Sequence, residues 1–280
     1  MTVFIDDLSD NQENIKISFI NEINTEHLPK FVSYTANCVL RNESLAEEFE
    51  SVSLPCDCKN LCDQKCPCSL NSNAYSNHKL SQEYNNHTGR PIIECSELCN
   101  CFENCNNRIV QHGIQFHLQV FKTERTGLGV QSKEFIPKFS FVCEYAGEII
   151  DEQEAYQRLK NHSPDDSNYI YVLKEHSSDH KYIKTIIDPT YIGNVGRYLN
   201  HSCSPNLISV PVRAGSMIPR ICFFAKEDIF PLQELTYNYG EECIFDESGS
   251  SHINSCARKC LCGSGNCCGY LPYVNDNWLK

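Results

Sequence analysis

Hydrophobic and polar positions change rhythm twice along this chain. Residues 1–50 are polar, acidic and weakly periodic, and their one short apolar piece, Phe31-Val32-Ser33-Tyr34, predicts a strand that docks on the body. Residues 56–105 hold nine cysteines and few large apolar side chains, so this segment needs metal to fold. From residue 114 ordinary alternation begins. Ile114, Phe116, Leu118 and Val120 alternate with Gln115, His117 and Gln119, which predicts a half-buried strand. Residues 139–145 read as a second strand, ended by Gly147. Asp151 is placed to cap a helix running to Lys160, with Ala155, Tyr156 and Leu159 on one face. Further strands are predicted at 169–173, 182–187 and 220–225. A polar linker fills 241–259, the last twenty residues are again rich in cysteine, and there is no internal repeat. The expected division is a flanking segment at 1–50, a cysteine module at 51–113, a catalytic domain at 114–242 and a second cysteine module at 256–272.

Composition sharpens this picture at one point. The 280 residues are ordinary in hydrophobic and charged content, but 19 are cysteine. The N-terminus, Met1-Thr2-Val3-Phe4-Ile5-Asp6-Asp7, has no basic region followed by an apolar run, and no stretch approaches the ~20 apolar residues of a membrane span. A reducing compartment is therefore expected, where clustered cysteines are metal ligands more often than disulfides. The net charge of −12 repels phosphate backbones and suits a basic peptide better than DNA, although solubility alone explains the charge equally well. No basic patch supports nucleic-acid binding.

The first cysteine array is Cys56, Cys58, Cys62, Cys66, Cys68, Cys95, Cys99, Cys101 and Cys105, spaced C-x-C-x3-C-x3-C-x-C, then 26 residues, then C-x3-C-x-C-x3-C. The C-x-C pairs are too tight for independent tetrahedral sites. Three zinc ions need twelve ligand bonds, and nine sulfurs supply them if three bridge two metals each. That arithmetic predicts a compact three-zinc cluster with a scaffolding role; a disulfide knot or metal store is the alternative. At the other end, Cys260-Leu261-Cys262 and Cys267 need a fourth ligand from elsewhere, and Cys203 and Cys256 compete for it.

Three features of the central block call for chemistry. Gly127-Leu128-Gly129 could bring backbone N–H groups to a small anion, but Ser132 breaks the dinucleotide fingerprint, and a plain turn is the simpler reading. Asn200-His201-Ser202-Cys203-Ser204-Pro205-Asn206 packs amide, imidazole and thiol into one loop; His201 has no second histidine at ligand spacing, and a Cys–His nucleophile stays open. Tyr145, Tyr169, Tyr171, Tyr191, Tyr237 and Tyr239 are each ordinary half-buried residues alone, but together with these loops suggest an aromatic pocket.

At these residues the chain resembles the SET-domain lysine methyltransferases. The resemblance rests on Glu144-Tyr145-Ala146-Gly147-Glu148, Gly196-Arg197-Tyr198-Leu199-Asn200-His201-Ser202-Cys203 and Glu234-Leu235-Thr236-Tyr237-Asn238-Tyr239-Gly240. The nine-cysteine array is similar to the pre-SET module of the suppressor-of-variegation branch, and the terminal cysteines are similar to a post-SET module. The resemblance covers roughly residues 30–275. It implies a mainly β fold with few helices, a SET-domain (β-clip, pseudoknot) architecture flanked by zinc-cluster pre-SET and post-SET modules.

By the same resemblance, Cys203, Cys260, Cys262 and Cys267 share one zinc, beside three in the pre-SET cluster, with Cys268 a spare. S-adenosylmethionine is expected against Thr126, Gly127 and Leu128, and against Tyr169, Arg197, Asn200 and His201, the last two reading the adenine edge. Tyr169, Tyr237 and Tyr239 are the implied catalytic residues of a lysine channel. A protonated lysine is not nucleophilic, and an aromatic channel beside a sulfonium lowers its pKa. Tyr237 stands at the family's Phe/Tyr switch position, which implies mono- and dimethyl products. Leu128 and Asn238 depart from the family's usual Trp and Asp. The implied partner is a histone H3 tail with lysine 9 favoured, in the nucleus on the chromosome, with no direct nucleic-acid or membrane binding and a monomeric protein. Lysine 36, a non-histone lysine, or a silent tail-binding module are the alternatives.

Overall fold

The computed structural model describes residues 2–28, 33–50, 54–63, 65–69, 74–85, 92–161, 163, 167–176, 182–240 and 258–272. Cys256 and most of the polar linker lie outside the described residues. Three sheets carry the architecture. The first orders its strands as Val3–Ile5, Ser18–Asn21, Leu118–Lys122, Leu128–Ser132, Glu234–Tyr237 and Asn200–His201. The second runs Phe141–Glu144, Arg220–Ala225, Leu207–Arg213 and Ile92–Ile93. The third runs Tyr171–His176, Tyr182–Gly193, Gly147–Ile150 and Val39–Leu40, and Ser33–Tyr34 also pairs with its long strand. Among the described residues the α-helices are Ala46–Glu50, Gln82–Asn85 and Glu152–Lys160, none long and apolar enough to cross a membrane. The fold is mainly β, as expected.

One core joins the three sheets. Phe19, Leu118, Val120, Val130, Val142, Ile187, Phe223 and Leu235 meet there, all nearly or fully buried. The second sheet is covered on its other face as well, where Ile92, Phe141, Val212 and Phe224 cluster with Leu80, Tyr84 and Val110. Two covered faces explain why Arg220–Ala225 reads as a continuous apolar run instead of alternating.

Several sequence expectations shift for local reasons. The strand predicted from Ile114 forms its ladder only over Leu118–Lys122. Gln119 within it is buried, because Ser18–Asn21 pairs alongside. Its amide donates to Ser18 Oγ at 3.0 Å and accepts from Gln131 at 2.9 Å. Ile17 and Phe19, in the segment read as weakly periodic, therefore belong to the main core. Gly147 opens the strand Gly147–Ile150 instead of ending the previous one, and a Cβ there would stand 2.7 Å from Pro189 N. Asp151 does cap the helix, accepting the Glu154 N–H at 2.8 Å, and Ala155 is fully buried, but Tyr156 points to solvent. Arg158 turns inward in its place and meets Glu148 and Asp188 at 2.8 Å each. The strand expected at 182–187 continues to Gly193, with a register irregularity beside Pro189 that accommodates a residue unable to donate. The strand Leu207–Arg213 was not anticipated, since Pro211 masks it.

Candidate active site

The three motif segments converge on one knot of chain. Asn200 and His201 lie parallel to Thr236 and Tyr237, and the Ser202 N–H donates to the Tyr237 carbonyl at 3.1 Å. Two buried asparagines fasten the crossing. Asn194 Oδ1 accepts the N–H groups of Gly196 (3.0 Å) and Ala146 (3.2 Å), and its Nδ2 donates to the Glu144 carbonyl at 2.9 Å. Asn206 Nδ2 donates to the Glu234 carbonyl at 2.8 Å, and its Oδ1 accepts the Thr236 N–H at 2.9 Å. Gly196 has to be glycine, for a Cβ would meet the Glu144 carbonyl at 2.6 Å.

An aromatic cage sits on this knot. Tyr237 is buried, with ring centroids 4.6 Å from Phe223, 4.8 Å from Tyr239 and 6.4 Å from both Tyr145 and Tyr171. The Tyr145 hydroxyl donates to the Tyr169 carbonyl at 2.5 Å, and the Tyr239 hydroxyl to the Leu199 carbonyl at 2.9 Å. Burial pushes the Tyr145 and Tyr237 hydroxyls well above the ordinary phenol range, so both stay neutral. Tyr239 is 39% exposed and opens the cage to solvent. Tyr169 is half-buried, with the Arg197 guanidinium 4.2 Å above its ring. Tyr191 is the exception among the six tyrosines. It is exposed and faces Arg158 on the outside, and Phe223 fills the cage instead. Nothing in the sequence separates Phe223 from any other core aromatic.

The turn between Leu118–Lys122 and Leu128–Ser132 lies beside this knot. Thr123 Oγ1 accepts the Thr126 N–H at 2.9 Å, and the Thr123 N–H donates to the Gly127 carbonyl at 2.8 Å. Gly127 has φ +82° and open space where a Cβ would stand, so bare backbone faces out of the turn. Asn200 Nδ2 lies 3.0 Å from Thr126 Oγ1, 2.9 Å from the Leu128 carbonyl and 2.8 Å from Glu234 Oε1. His201 Nδ1 accepts the Tyr239 N–H at 3.2 Å, and Nε2 lies 3.3 Å from Cys203 Sγ. The ring proton therefore sits on Nε2, and burial lowers the pKa of the imidazole. Both ring nitrogens and the amide nitrogen of Asn200 are thus used inside the protein, so the adenine-reading expectation retains only backbone atoms and Asn200 Oδ1. Asn238 keeps a local bond despite its departure, since its Oδ1 accepts the Gly240 N–H at 3.3 Å. Leu128 packs against the main core.

The cysteines gather as the spacing requires. Sulfurs of Cys56, Cys68, Cys95 and Cys99, of Cys56, Cys58, Cys62 and Cys66, and of Cys56, Cys62, Cys95 and Cys101 each lie within 4.8 Å of one another. Cys203, Cys260, Cys262 and Cys267 form a fourth such group. A tetrahedral zinc with Zn–S of about 2.3 Å sets neighbouring sulfurs about 3.8 Å apart. The separations are 3.6 Å for Cys56–Cys62 and Cys62–Cys95, 3.8 Å for Cys68–Cys99 and 3.9 Å for Cys203–Cys260. These all-sulfur donor sets fit zinc and leave no open position. Cys62 and Cys95 each belong to two of the first three groups and Cys56 to all three, so sulfurs are shared between groups. Cys105 lies outside those groups, though its sulfur accepts the Cys62 N–H at 3.4 Å. All described cysteines are free thiols, so no disulfide knot exists among them. Cys268 adds no sulfur to the fourth group, but its N–H points at Cys203 Sγ, 3.5 Å away.

Comparison with known proteins follows this geometry. The Pre-SET motif model matches residues 9–108 and the SET domain model residues 127–240, together most of the chain. The chain belongs to the SET-domain histone-lysine methyltransferases. Histone-lysine N-methyltransferase SETMAR of Mus musculus is 37% identical over 281 residues, covering 98% of this methyltransferase and 91% of that protein. The human SETMAR is 44% identical over 187 residues, which are 65% of this chain and only 27% of that one. An H3 lysine-9 specific methyltransferase of Arabidopsis thaliana, SUVH5, is 33% identical over 276 residues, 95% of this chain and 32% of its own. Among solved structures, the methyltransferase domain of human SETMAR superposes with a TM-score of 0.78 at 35% identity, over 95% of this chain and 97% of that one. KRYPTONITE bound to mCHH DNA, an H3(1-15) peptide and SAH gives a TM-score of 0.73 at 27% identity, over 96% and 54%.

Proposed function

We propose that this methyltransferase moves methyl groups from S-adenosylmethionine to a lysine of the histone H3 tail, lysine 9 before others, and stops mostly at one or two methyls. The supporting observation is the buried Tyr237 hydroxyl at the centre of a cage of Tyr145, Tyr171, Phe223 and Tyr239. A hydroxyl on that ring takes the space a third methyl would need. Relatives that act on H3 lysine 9 or hold an H3 peptide support the choice of tail.

Each residue has a part in this reading. Thr126, Gly127 and Leu128 present backbone to the cofactor, Arg197 and Tyr169 wall it, and Asn200 and His201 bind it through the atoms left over from their internal bonds. S-adenosylmethionine supplies the methyl group when bound. Tyr169, Tyr237 and Tyr239 line the lysine channel. The Tyr239 hydroxyl spends its proton on the Leu199 carbonyl, so its oxygen offers only lone pairs to the channel. Burial keeps Tyr237 and Tyr239 neutral, so neither serves as a base; desolvation lowers the pKa of the target amine, its proton passes to bulk water, and the free amine is then held in line for attack. Three zinc ions in the Cys56–Cys105 array and a fourth on Cys203, Cys260, Cys262 and Cys267 hold the frame. The protein acts as a monomer in the nucleus, on chromatin, without gripping nucleic acid itself.

The test is incubation of zinc-loaded protein with labelled S-adenosylmethionine and H3 peptides, with the methyl located by mass spectrometry. Mono- and dimethyl lysine 9 is expected, and Tyr237→Phe should raise the trimethyl product. Absence of transfer to any H3 peptide or whole histone, from protein that still binds S-adenosylhomocysteine, would overturn the reading. An unchanged product distribution in Tyr237→Phe would overturn the assigned role of the hydroxyl.

A further inference from the structure

Glu234 is the first residue of the third motif, and its side chain does something its place in a strand does not require. It rises from Glu234–Tyr237 over the neighbouring strand, and its Oε1 reaches Asn200 Nδ2 at 2.8 Å. The close approach leaves a mark in the sequence. A Cβ on Gly129 would lie 2.7 Å from that same oxygen, 2.9 Å from Thr123 Cγ2 and 3.1 Å from Phe121 Cε1, so the second glycine of Gly127-Leu128-Gly129 sits in a crowded spot that the carboxylate shares with two other side chains. Backbone freedom is not the reason, because Gly129 sits in a regular strand paired with Phe121.

The chemistry of the contacts fixes the Asn200 amide. An amide can be turned end for end at almost no steric cost, so its orientation is set by its partners. The Leu128 carbonyl oxygen and Glu234 Oε1 only accept hydrogen bonds, at 2.9 and 2.8 Å from Nδ2. A flipped amide would set its own oxygen against both. Thr126 Oγ1, the third neighbour at 3.0 Å, tolerates either orientation, because a hydroxyl both donates and accepts. Two obligate acceptors therefore decide the orientation, and only Glu234 contributes its acceptor from a side chain that mutation can change. With Nδ2 turned inward, Oδ1 is the atom Asn200 can present outward, and Asn200 is half-buried.

We propose that Glu234 is a positioning residue for the methyl-donor site: it locks the Asn200 amide so that Oδ1 faces the cofactor as a pure acceptor for one of its N–H groups. The inference rests on the reading above that Asn200 lies on the cofactor. Without Glu234 the amide has one obligate acceptor and one indifferent neighbour, so the wrong orientation becomes populated and the cofactor meets an N–H where it needs an oxygen.

Calorimetric titration of the zinc-loaded protein with S-adenosylhomocysteine tests this, using wild type, Glu234→Ala, Glu234→Gln and Asn200→Ala, with thermal melts run beside each. Glu234→Ala should weaken binding about tenfold, the size of one misdirected hydrogen bond. Glu234→Gln retains a carbonyl acceptor at the same reach and should bind within about threefold of wild type. In turnover the alanine variant should raise KM for S-adenosylmethionine with kcat nearly unchanged, a split that mere loosening of the strand would not give. If Asn200→Ala weakens binding and Glu234→Ala, melting as wild type does, binds like wild type, the positioning role is refuted while the cofactor site stands. If Asn200→Ala itself binds like wild type, the placement of Asn200 on the cofactor fails, and this inference with it.

Discussion

Replacing Asn194 by alanine should destabilise the whole molecule through three atoms. Asn194 is 1% exposed and makes three hydrogen bonds: two accepted from the Gly196 and Ala146 N–H groups and one donated to the Glu144 carbonyl. Alanine removes all three and strands buried backbone groups that water does not reach. At about 1–1.5 kcal/mol for each of the three bonds lost with its partner left unsatisfied, the cost is about 3–4.5 kcal/mol. For a chain of this size that is a fall in melting temperature of about 7 °C. Asn194→Asp separates hydrogen bonding from volume. It keeps both acceptors but sets a second oxygen against the Glu144 carbonyl, so it should also destabilise, with the loss easing as pH falls and the new carboxyl takes up a proton. The assay is urea unfolding of zinc-loaded protein followed by fluorescence and far-UV circular dichroism together. A loss below about 1 kcal/mol for Asn194→Ala would refute the reasoning, because it would mean the crossing of the 144–148 and 194–203 segments holds without its polar clamp.

Other expectations follow from the same geometry. Cys203→Ser should remove one zinc per chain, measured by plasma mass spectrometry, and leave the Cys56–Cys105 complement intact; loss of all zinc would mean the two groups are not independent. Cys62→Ser, which touches two of the pre-SET groups, should release more than one. Arg158→Ala leaves the buried Asp188 carboxylate without its cation and Glu148 with only the exposed Arg41, 3.6 Å away, and should cost about 3–5 kcal/mol in the same urea assay. Glu13, whose carboxyl accepts from the Tyr34 hydroxyl, is pushed up from 4.5 to about 7, by burial first and then by the nearby Glu144 and Asp7 charges. A carboxyl with a raised folded pKa binds its proton more tightly when folded, so its contribution is full below about pH 4.5 and is lost as pH rises through about 7. Glu13→Gln should therefore flatten the decline of stability between those values relative to wild type, and identical pH profiles would count against the half-buried placement of Glu13 beside Tyr34.

Chemistry written in side-chain identity and close spacing was legible from the sequence. The gathering of the Cys56–Cys105 thiols was legible because cysteines set one to three residues apart stay close in any fold. The helix cap at Asp151 and the apolar run of 220–225 were legible for the same reason, since both depend on neighbours in the chain. Selection among equals was decided only by the tertiary structure. Six tyrosines were equivalent candidates, and the long third-sheet strand carried Tyr191 outward while Phe223 on the second sheet completed the cage. Cys203 met the terminal cysteines across 57 residues of chain, a distance that spacing cannot read. Asn206 looked like a loop residue and Asn194 drew no reading of its own, yet each replaces backbone partners at a crossing that no local pattern encodes. The strands Val3–Ile5 and Ser18–Asn21 were missed because a segment that completes an existing sheet borrows its hydrophobic face from the partner and needs little periodicity of its own. Local sequence sets which groups are available and how each short segment folds. Which of them meet is set by the burial of three sheets on one core, a free energy that belongs to the assembled chain and to no segment of it.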